Sequence, residues 1–271
     1  NLINNFISTN PNVRALIADH WKSLELIKTE NLKKIKTFCL LHSKEINHKV
    51  GSSLNKRLIK STNNADFIIA NSNFTKKLAI KVGLNSSKIN IIFPGVQIPK
   101  DIDNASKIKA KKIFDDSFPK IITVARLDKR KGHDKILMLI RNLKPKFPKI
   151  KYISIGFGKE EDNLLKLNKE LNIEKEVTFL KDIDYDFKIA LIAEANLFLM
   201  PSRIEKKSVE GFGISFIEAA SYGVGSIGGK DGGASDAITH NKTGLICDGN
   251  DLNSIYDSVI NFFENENFDK Y

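Results

Sequence analysis

Ten short β-rich runs, separated by amphipathic and lysine-bearing stretches, restrict the fold more than any other feature of this chain. "VRALIAD" (13–19), "IKTFCLLH" (35–42), "ADFIIANS" (65–72) and "INIIFPG" (89–95) form a first series. A polar stretch rich in Asp and Lys, near 98–118, interrupts the pattern. It restarts with "KIITVAR" (120–126), "KYISIGFG" (151–158), "EVTFLKD" (176–182), "ANLFLMPS" (195–202), "VGSIGG" (224–229) and "TGLICD" (243–248). Alternating β and α runs of this kind predict parallel sheets covered by helices. The expected class is α/β with two Rossmann-like, doubly wound domains, over residues 1–97 and 98–271. In such sheets ligands sit beyond the carboxyl ends of the strands, so the residues that end each strand carry the functional information.

Those residues are small or charged. The run 120–125 ends in Arg126, and "ARLDKRKGHD" follows, with Lys131 and Gly132 opening a helix. A forked Arg and a mobile Lys together suit a diphosphate, although a solvated charge cluster would read the same way. Gly156-Phe157-Gly158 ends another strand, Pro201-Ser202 a third, and Gly228-Gly229 a fourth. Gly211-Phe212-Gly213 precede a helix expected from near Ile214 to Tyr222, with Gly223 as its stop. The free amides of its first turn would hold an anion. Glu210 then lies in the loop before that helix and Glu218 about one turn inside it. Glu218 stands among Ile217, Ala219 and Ala220, where the vicinal hydroxyls of a ribose would satisfy a carboxylate; a helix-surface glutamate is the plainer reading. A dinucleotide fingerprint needs a third glycine at 161, but that position is Glu161, so a dehydrogenase is not indicated. Paired carboxylates also suit a glycosidase, a site that needs neither the Arg/Lys pair nor the glycine-rich anion loop.

The 271 residues, 41% of them hydrophobic, suffice for sizeable cores. No run approaches ~18 consecutive apolar residues, and the first residues, "NLINNFISTN", show no secretory signal pattern. Cys39 and Cys247 are far apart in apolar segments, the reading for which is buried free thiols in a reducing compartment. Residues 1–112 hold 20 Lys/Arg against 7 Asp/Glu, whereas residues 113–271 hold 23 against 25. The excess positive charge is thus confined to the first part of the chain. That asymmetry points to an anionic membrane surface or nucleic acid, or to codon bias. The basic segments lack the interleaved aromatics that stack on bases, so no nucleic-acid partner is expected.

Taken together, Arg126 with Lys131 five positions on, Gly156-x-Gly158, Pro201-Ser202, the Glu210/Glu218 pair and "GGASDAITHNKTGLICD" (232–248) resemble the C-terminal domain of the retaining glycosyltransferases of family 4. "EGFGISFIEAASYGVGSIGGKDGGASDAI" is especially similar to bacterial mannosyltransferases of the phosphatidylinositol-mannoside type. "ADFIIANSNFTKKLAIKVGLNSSKINIIFPGV" (65–96) matches the family's segment before its interdomain linker, and "LLHSKEI" (40–46) its H-G-x-E element.

The resemblance implies a GT-B fold, two such domains facing a cleft, with the last helix crossing back to the first domain. It implies Arg126, Lys131 and the Phe212, Gly213 and Ile214 backbone at the donor diphosphate. Glu218 would lie at the ribose, Glu210 and His42 at the transferred sugar as the catalytic pair, and Gly156 and Gly158 in the nucleotide loop. It implies no cofactor and no metal, the donor being a GDP-sugar or UDP-sugar and the acceptor a lipid or saccharide. The expected location is cytoplasmic, with peripheral attachment to the inner membrane face through residues 1–112. Departures are Ser43 where the family has Gly after the histidine, a mild change on sequence grounds, Gly225 in place of Pro, and Lys181 where Gly is frequent. The family's further strands before "NPNVRALIAD", with a Gly-rich first βα loop, are not in this sequence, so the N-terminal domain is expected to be incomplete here. A nucleotide-sugar epimerase and an inactive nucleotide-binding remnant are the alternatives to a transferase.

Overall fold

In the computed structural model of the chain, residues 2–264 are described. The chain divides into two compact units, Asn1–Pro94 and Gly95–Tyr271. Unit 1 runs α1 (Leu2–Thr9), β1 (Ala15–Ala18), α2 (Thr29–Leu32), β2 (Lys36–Leu41), α3 (Ser53–Asn63), β3 (Phe67–Ala70), α4 (Asn73–Lys81) and β4 (Ile89–Ile91). Its four strands are all parallel, in the order β1-β2-β3-β4. Trp21, Leu41, Leu58 and Ile68 are fully or almost fully buried at its core. Serines cap the helices that follow β2 and β3: Ser52 Oγ accepts from the amide of Asn55, and Ser72 Oγ from that of Thr75.

Unit 2 opens with α5 (Asn104–Phe114), β5 (Lys120–Val124), α6 (His133–Leu143), β6 (Lys151–Ile155), α7 (Glu161–Glu170), β7 (Val177–Leu180) and α8 (Tyr185–Glu194). It continues with β8 (Leu197–Met200), α9 (Ile214–Ser221), β9 (Ser226–Gly229), α10 (Ala234–Ala237), β10 (Gly244–Cys247) and α11 (Leu252–Glu264). Six parallel strands lie in the order β10-β9-β8-β5-β6-β7. All ten β-rich runs of the sequence are therefore strands, each a few residues shorter than its run.

Strand residues alternate between two cores. Ile121, Leu197 and Leu199 face the layer that contains α6 and α11, whereas Ile122, Phe198 and Met200 face the layer that contains α8 and α9. A strand buried on both faces reads as a continuous apolar run, which is why "LFLM" carries no polar residue. From β5 the chain proceeds to β6 on one side and, later, to β8 on the other. The order reverses there, so a crevice opens at the carboxyl ends of β5 and β8.

Close backbone contacts shape that crevice. A Cβ on Gly229 would lie 1.8 Å from the carbonyl oxygen of Ser202, so only glycine lets the end of β9 meet the loop after β8. The two free cysteines are buried, and burial pushes both thiols up to about 12, so neither is a reactive thiolate at neutral pH. As far as Glu264, α11 packs on α6 and β10 of unit 2. The expected return of the chain to the first domain falls on residues beyond 264, outside those described. Among the described residues no helix is long and apolar enough to cross a membrane.

Candidate functional site

Each βα turn of the crevice in unit 2 is set by local chemistry. After β5 the chain makes a short 3-10 turn over Lys129–Lys131, and Gly132 turns left-handed before α6 begins. This turn aims Lys131 inward, where it is buried, and leaves the side chain of Arg126 60% exposed with Asp128 at 3.4 Å. Gly156 and Gly158 pack on this turn: their Cβ atoms would lie 2.1 Å from the carbonyl oxygen of Ala125 and 2.5 Å from that of Leu127. The close approach that the two glycines permit is between neighbouring loops, and it positions Arg126.

Arg126 is fixed from below as well. Nε2 of the buried His133 donates to the Arg126 carbonyl at 3.3 Å, leaving Nδ1 to accept from Ser154 Oγ at 3.2 Å. Burial pushes the pKa of His133 down to about 4. An unfolded histidine titrates near 6.5, so the unfolded chain binds the extra proton between these values. This contribution to stability is fully present above about pH 6.5 and falls away toward pH 4, by about 3 kcal/mol in total. His133→Gln should flatten that part of the stability–pH curve. Urea unfolding at pH 7 and 4.5 checks this, and an unchanged difference between the two would refute it.

The loop after β8 carries Glu210, held by the amide of Gly233 donating to its carbonyl at 2.8 Å. Its carboxylate does not stand free toward a ligand. It accepts from Arg130 Nη1 at 2.7 Å and from Lys131 Nζ, all three side chains being about one-tenth exposed. Burial alone would raise the Glu210 carboxyl, but the charges of Lys131 and Arg130 overcome it and hold it below the usual carboxylate range. Lys131 is pushed below its ordinary value, first by burial and then by repulsion from Arg130 and Arg126, against the attraction of Glu210. One carboxylate shared between two cations leaves buried positive charge uncompensated. Arg130 is the member of this cluster that sequence reasoning missed: in "DKRKGHD" nothing marks which of the three Lys/Arg neighbours turn inward.

Directly after Glu210, Gly213 adopts φ +93°, a left-handed conformation open to glycine, and caps the start of α9. Phe212 is buried and Ile214 half exposed. Of the first-turn amides of α9, that of Phe216 donates to the Gly213 carbonyl at 3.0 Å, while those of Ile214 and Ser215 have no helical partner, and the helix dipole adds partial positive charge there. Glu218 lies one turn on, half-buried, its Oε1 accepting from Lys188 Nζ of α8 at 2.6 Å. Lys188 was not anticipated either, because the pair joins residues thirty positions apart.

His42 belongs to unit 1, at the carboxyl end of β2. Its amide donates to Glu45 Oε1 at 2.6 Å, and its Nε2 lies 2.9 Å from Asp19 Oδ1. The next residue, Ser43, takes φ +90° and ψ −63°. Its replacement of Gly is therefore not mild: a side chain here costs on the order of 1–3 kcal/mol of backbone strain. Arg126, Lys131, Glu210, the start of α9 and Glu218 come together in unit 2, while His42 sits in the other unit.

Two units of parallel βαβ type, one with four strands and one with six, are the elements of the GT-B fold. In agreement, the fold matches that of the HepE protein of Anabaena, solved in complex with UDP, with a TM-score of 0.83 at 19% identity, over 99% of this chain and 74% of that one. Residues 104–271 match the family described as glycosyl transferases group 1, and the chain belongs to that family. Its curated relatives include the GDP-mannose-dependent alpha-(1-6)-phosphatidylinositol monomannoside mannosyltransferases. That of Mycolicibacterium smegmatis is 28% identical over 221 residues, 78% of this chain and 58% of the relative. That of Mycobacterium tuberculosis is 34% identical over 143 residues, 52% and 37% respectively. The chain thus spans roughly half the length of these relatives.

Proposed function

We propose that the protein containing this chain is a retaining hexosyltransferase that moves mannose or glucose from a GDP- or UDP-sugar to a lipid or saccharide acceptor. The observation that carries this reading is the buried Arg130–Glu210–Lys131 cluster beside the glycine-capped start of α9. It holds more positive than negative charge in a desolvated place, where a diphosphate supplies the missing anion.

On this reading Arg126, Lys131 and the Phe212, Gly213 and Ile214 backbone bind the diphosphate, and Gly156 and Gly158 shape the nucleotide loop. Glu218 accepts from the ribose hydroxyls. Charge developing on the leaving diphosphate meets fixed cations and helix amides, which is electrostatic stabilisation without a metal ion. Glu210 acts on the transferred sugar through the loop it anchors and through the two cations it orients. His42, in unit 1, is the second residue assigned to the transferred sugar.

The acceptor side is read from charge. Unit 1 holds 15 Lys/Arg against 5 Asp/Glu, a net of +10. Such a surface suits the anionic inner face of a membrane, at about 1 kcal/mol per nearby Lys or Arg. The relatives named above act on a phosphatidylinositol monomannoside by their names, which favours a lipid acceptor and peripheral attachment in the cytoplasm.

The test uses the full-length protein, offered GDP-mannose and UDP-glucose with vesicles of anionic or neutral lipid. Expected are sugar transfer rather than mere nucleotide release, and salt-sensitive co-sedimentation with anionic vesicles only. Epimerised sugar nucleotide with no transfer would favour an epimerase. Binding without turnover of either donor would favour an inactive relative.

A further inference from the structure

Unit 1 carries a carboxylate–imidazole pair, Asp19 and His42, of which the proposed reaction uses only the imidazole. β1 and β2 are adjacent and parallel, and each ends in a residue of this pair: Asp19 follows β1 and His42 follows β2. The backbone of His42 is pinned, because its amide donates to Glu45 Oε1 at 2.6 Å. Glu45 is itself pinned, its carbonyl accepting from Trp21 Nε1 at 2.9 Å, and Trp21 is fully buried. Only the ring of His42 is left to orient, and Asp19 Oδ1 lies 2.9 Å from its Nε2. The imidazole is about half exposed and the Asp19 side chain 85% exposed, so both face solvent at the strand ends and neither belongs to the core.

An aspartate accepts but does not donate, so the proton of a neutral His42 is placed on Nε2. Nδ1 is then the atom with the free lone pair, and it has no hydrogen-bond partner among the described residues. We propose that Asp19 is a positioning residue: it holds His42 in the Nε2–H form, so that Nδ1 accepts a hydrogen bond from a hydroxyl of the transferred sugar. The inference rests on the placement of His42 at the sugar proposed above. A partner that fixes one ring nitrogen sets what the other can do, and Asp19 does this without touching substrate.

The test has two readouts on the full-length protein. Long-range ¹⁵N–¹H correlation spectra of histidine-labelled protein, with the His42 signals assigned by His42→Gln, report which nitrogen carries the proton. The parent should show Nε2–H, Asp19→Ala a mixture of both forms, and Asp19→Glu a return to Nε2–H. In turnover, Asp19→Ala should lower kcat roughly 10–100-fold, the range known for loss of the partner that orients a metal-bound histidine. The KM for the sugar nucleotide should stay within about twofold, and Asp19→Glu should recover much of kcat. A merely structural aspartate would leave the tautomer unmoved. An Nδ1–H parent, or the same tautomer in the parent and Asp19→Ala, overturns the positioning role. A tautomer that changes while kcat does not overturns the placement of His42 at the sugar instead, so the two failures are distinguishable.

Discussion

Glu210→Gln is expected to destabilise unit 2 by about 3–5 kcal/mol, more than any single change to either of its cationic partners. Removing one member of a buried ion pair leaves the other charge uncompensated, which is where a cost of this size arises. Here the geometry makes the effect asymmetric. Without Glu210, Arg130 and Lys131 face each other as buried like charges, both about nine-tenths shielded from solvent. Without Lys131, Glu210 keeps Arg130 at 2.7 Å and the remaining pair is neutral. Lys131→Met should therefore cost clearly less than Glu210→Gln, and Arg126→Ala, with its side chain 60% exposed, well under 1 kcal/mol. Urea unfolding followed by far-ultraviolet circular dichroism at pH 7 gives the order. Equal or reversed costs for Glu210→Gln and Lys131→Met would refute the shared-carboxylate account. The same excess cation explains why a nucleoside diphosphate should restore stability, by about 2.7 kcal/mol at a hundred times its dissociation constant. Affinity for that ligand should weaken as pH rises through the Lys131 titration. Because burial lowers that pKa, the weakening should begin below the range of an ordinary lysine.

The contrast between Lys131 and Arg126 also marks where the sequence stops being legible. Strands such as "KIITV" and "LFLM" announce themselves because burial on both sheet faces demands unbroken apolar runs, and all ten could be read. The start of α9 was equally plain, since a left-handed residue before a helix needs the glycine at 213. Arg126, Lys131 and Glu210 stand in the turns and loops that follow strands, and Glu218 one turn into α9, so the topology already brings them to the carboxyl ends of the sheet. What the sequence could not supply was pairing. Whether Arg130 or Lys129 turns inward depends on the phase of a three-residue 3-10 turn, which no periodicity records. Lys188 meets Glu218, and Asp19 meets His42, only after separate strands and helices have packed. Glu210 looked like a free carboxylate for the same reason: its two cations lie about eighty positions earlier.

Nucleotide binding should separate Arg126 from Glu218 by which part of the ligand each one loses. Arg126 sits at the β5 turn, its side chain 60% exposed with Asp128 at 3.4 Å, so its guanidinium is available to a phosphate. Hydrogen bonds to charged groups contribute about 1.5–3 kcal/mol each, or roughly 10–150-fold in dissociation constant. Arg126→Ala should weaken GDP or UDP by a factor in that range and leave guanosine or uridine unaffected. Glu218 contributes differently. Lys188 occupies Oε1 of its carboxylate, at 2.6 Å, and fixes the side chain against α8; on the proposed reading Oε2 accepts from the ribose diol. Because nucleoside and nucleoside diphosphate share that ribose, Glu218→Ala should weaken both by the same factor. Lys188→Ala frees Glu218 to move without removing it, and should reproduce a smaller part of the same uniform loss. Isothermal titration of the four ligands against the three variants of the full-length protein decides the matter. Should Glu218→Ala weaken the diphosphates while sparing the nucleosides, its carboxylate acts on the phosphate-binding turn and the ribose assignment falls.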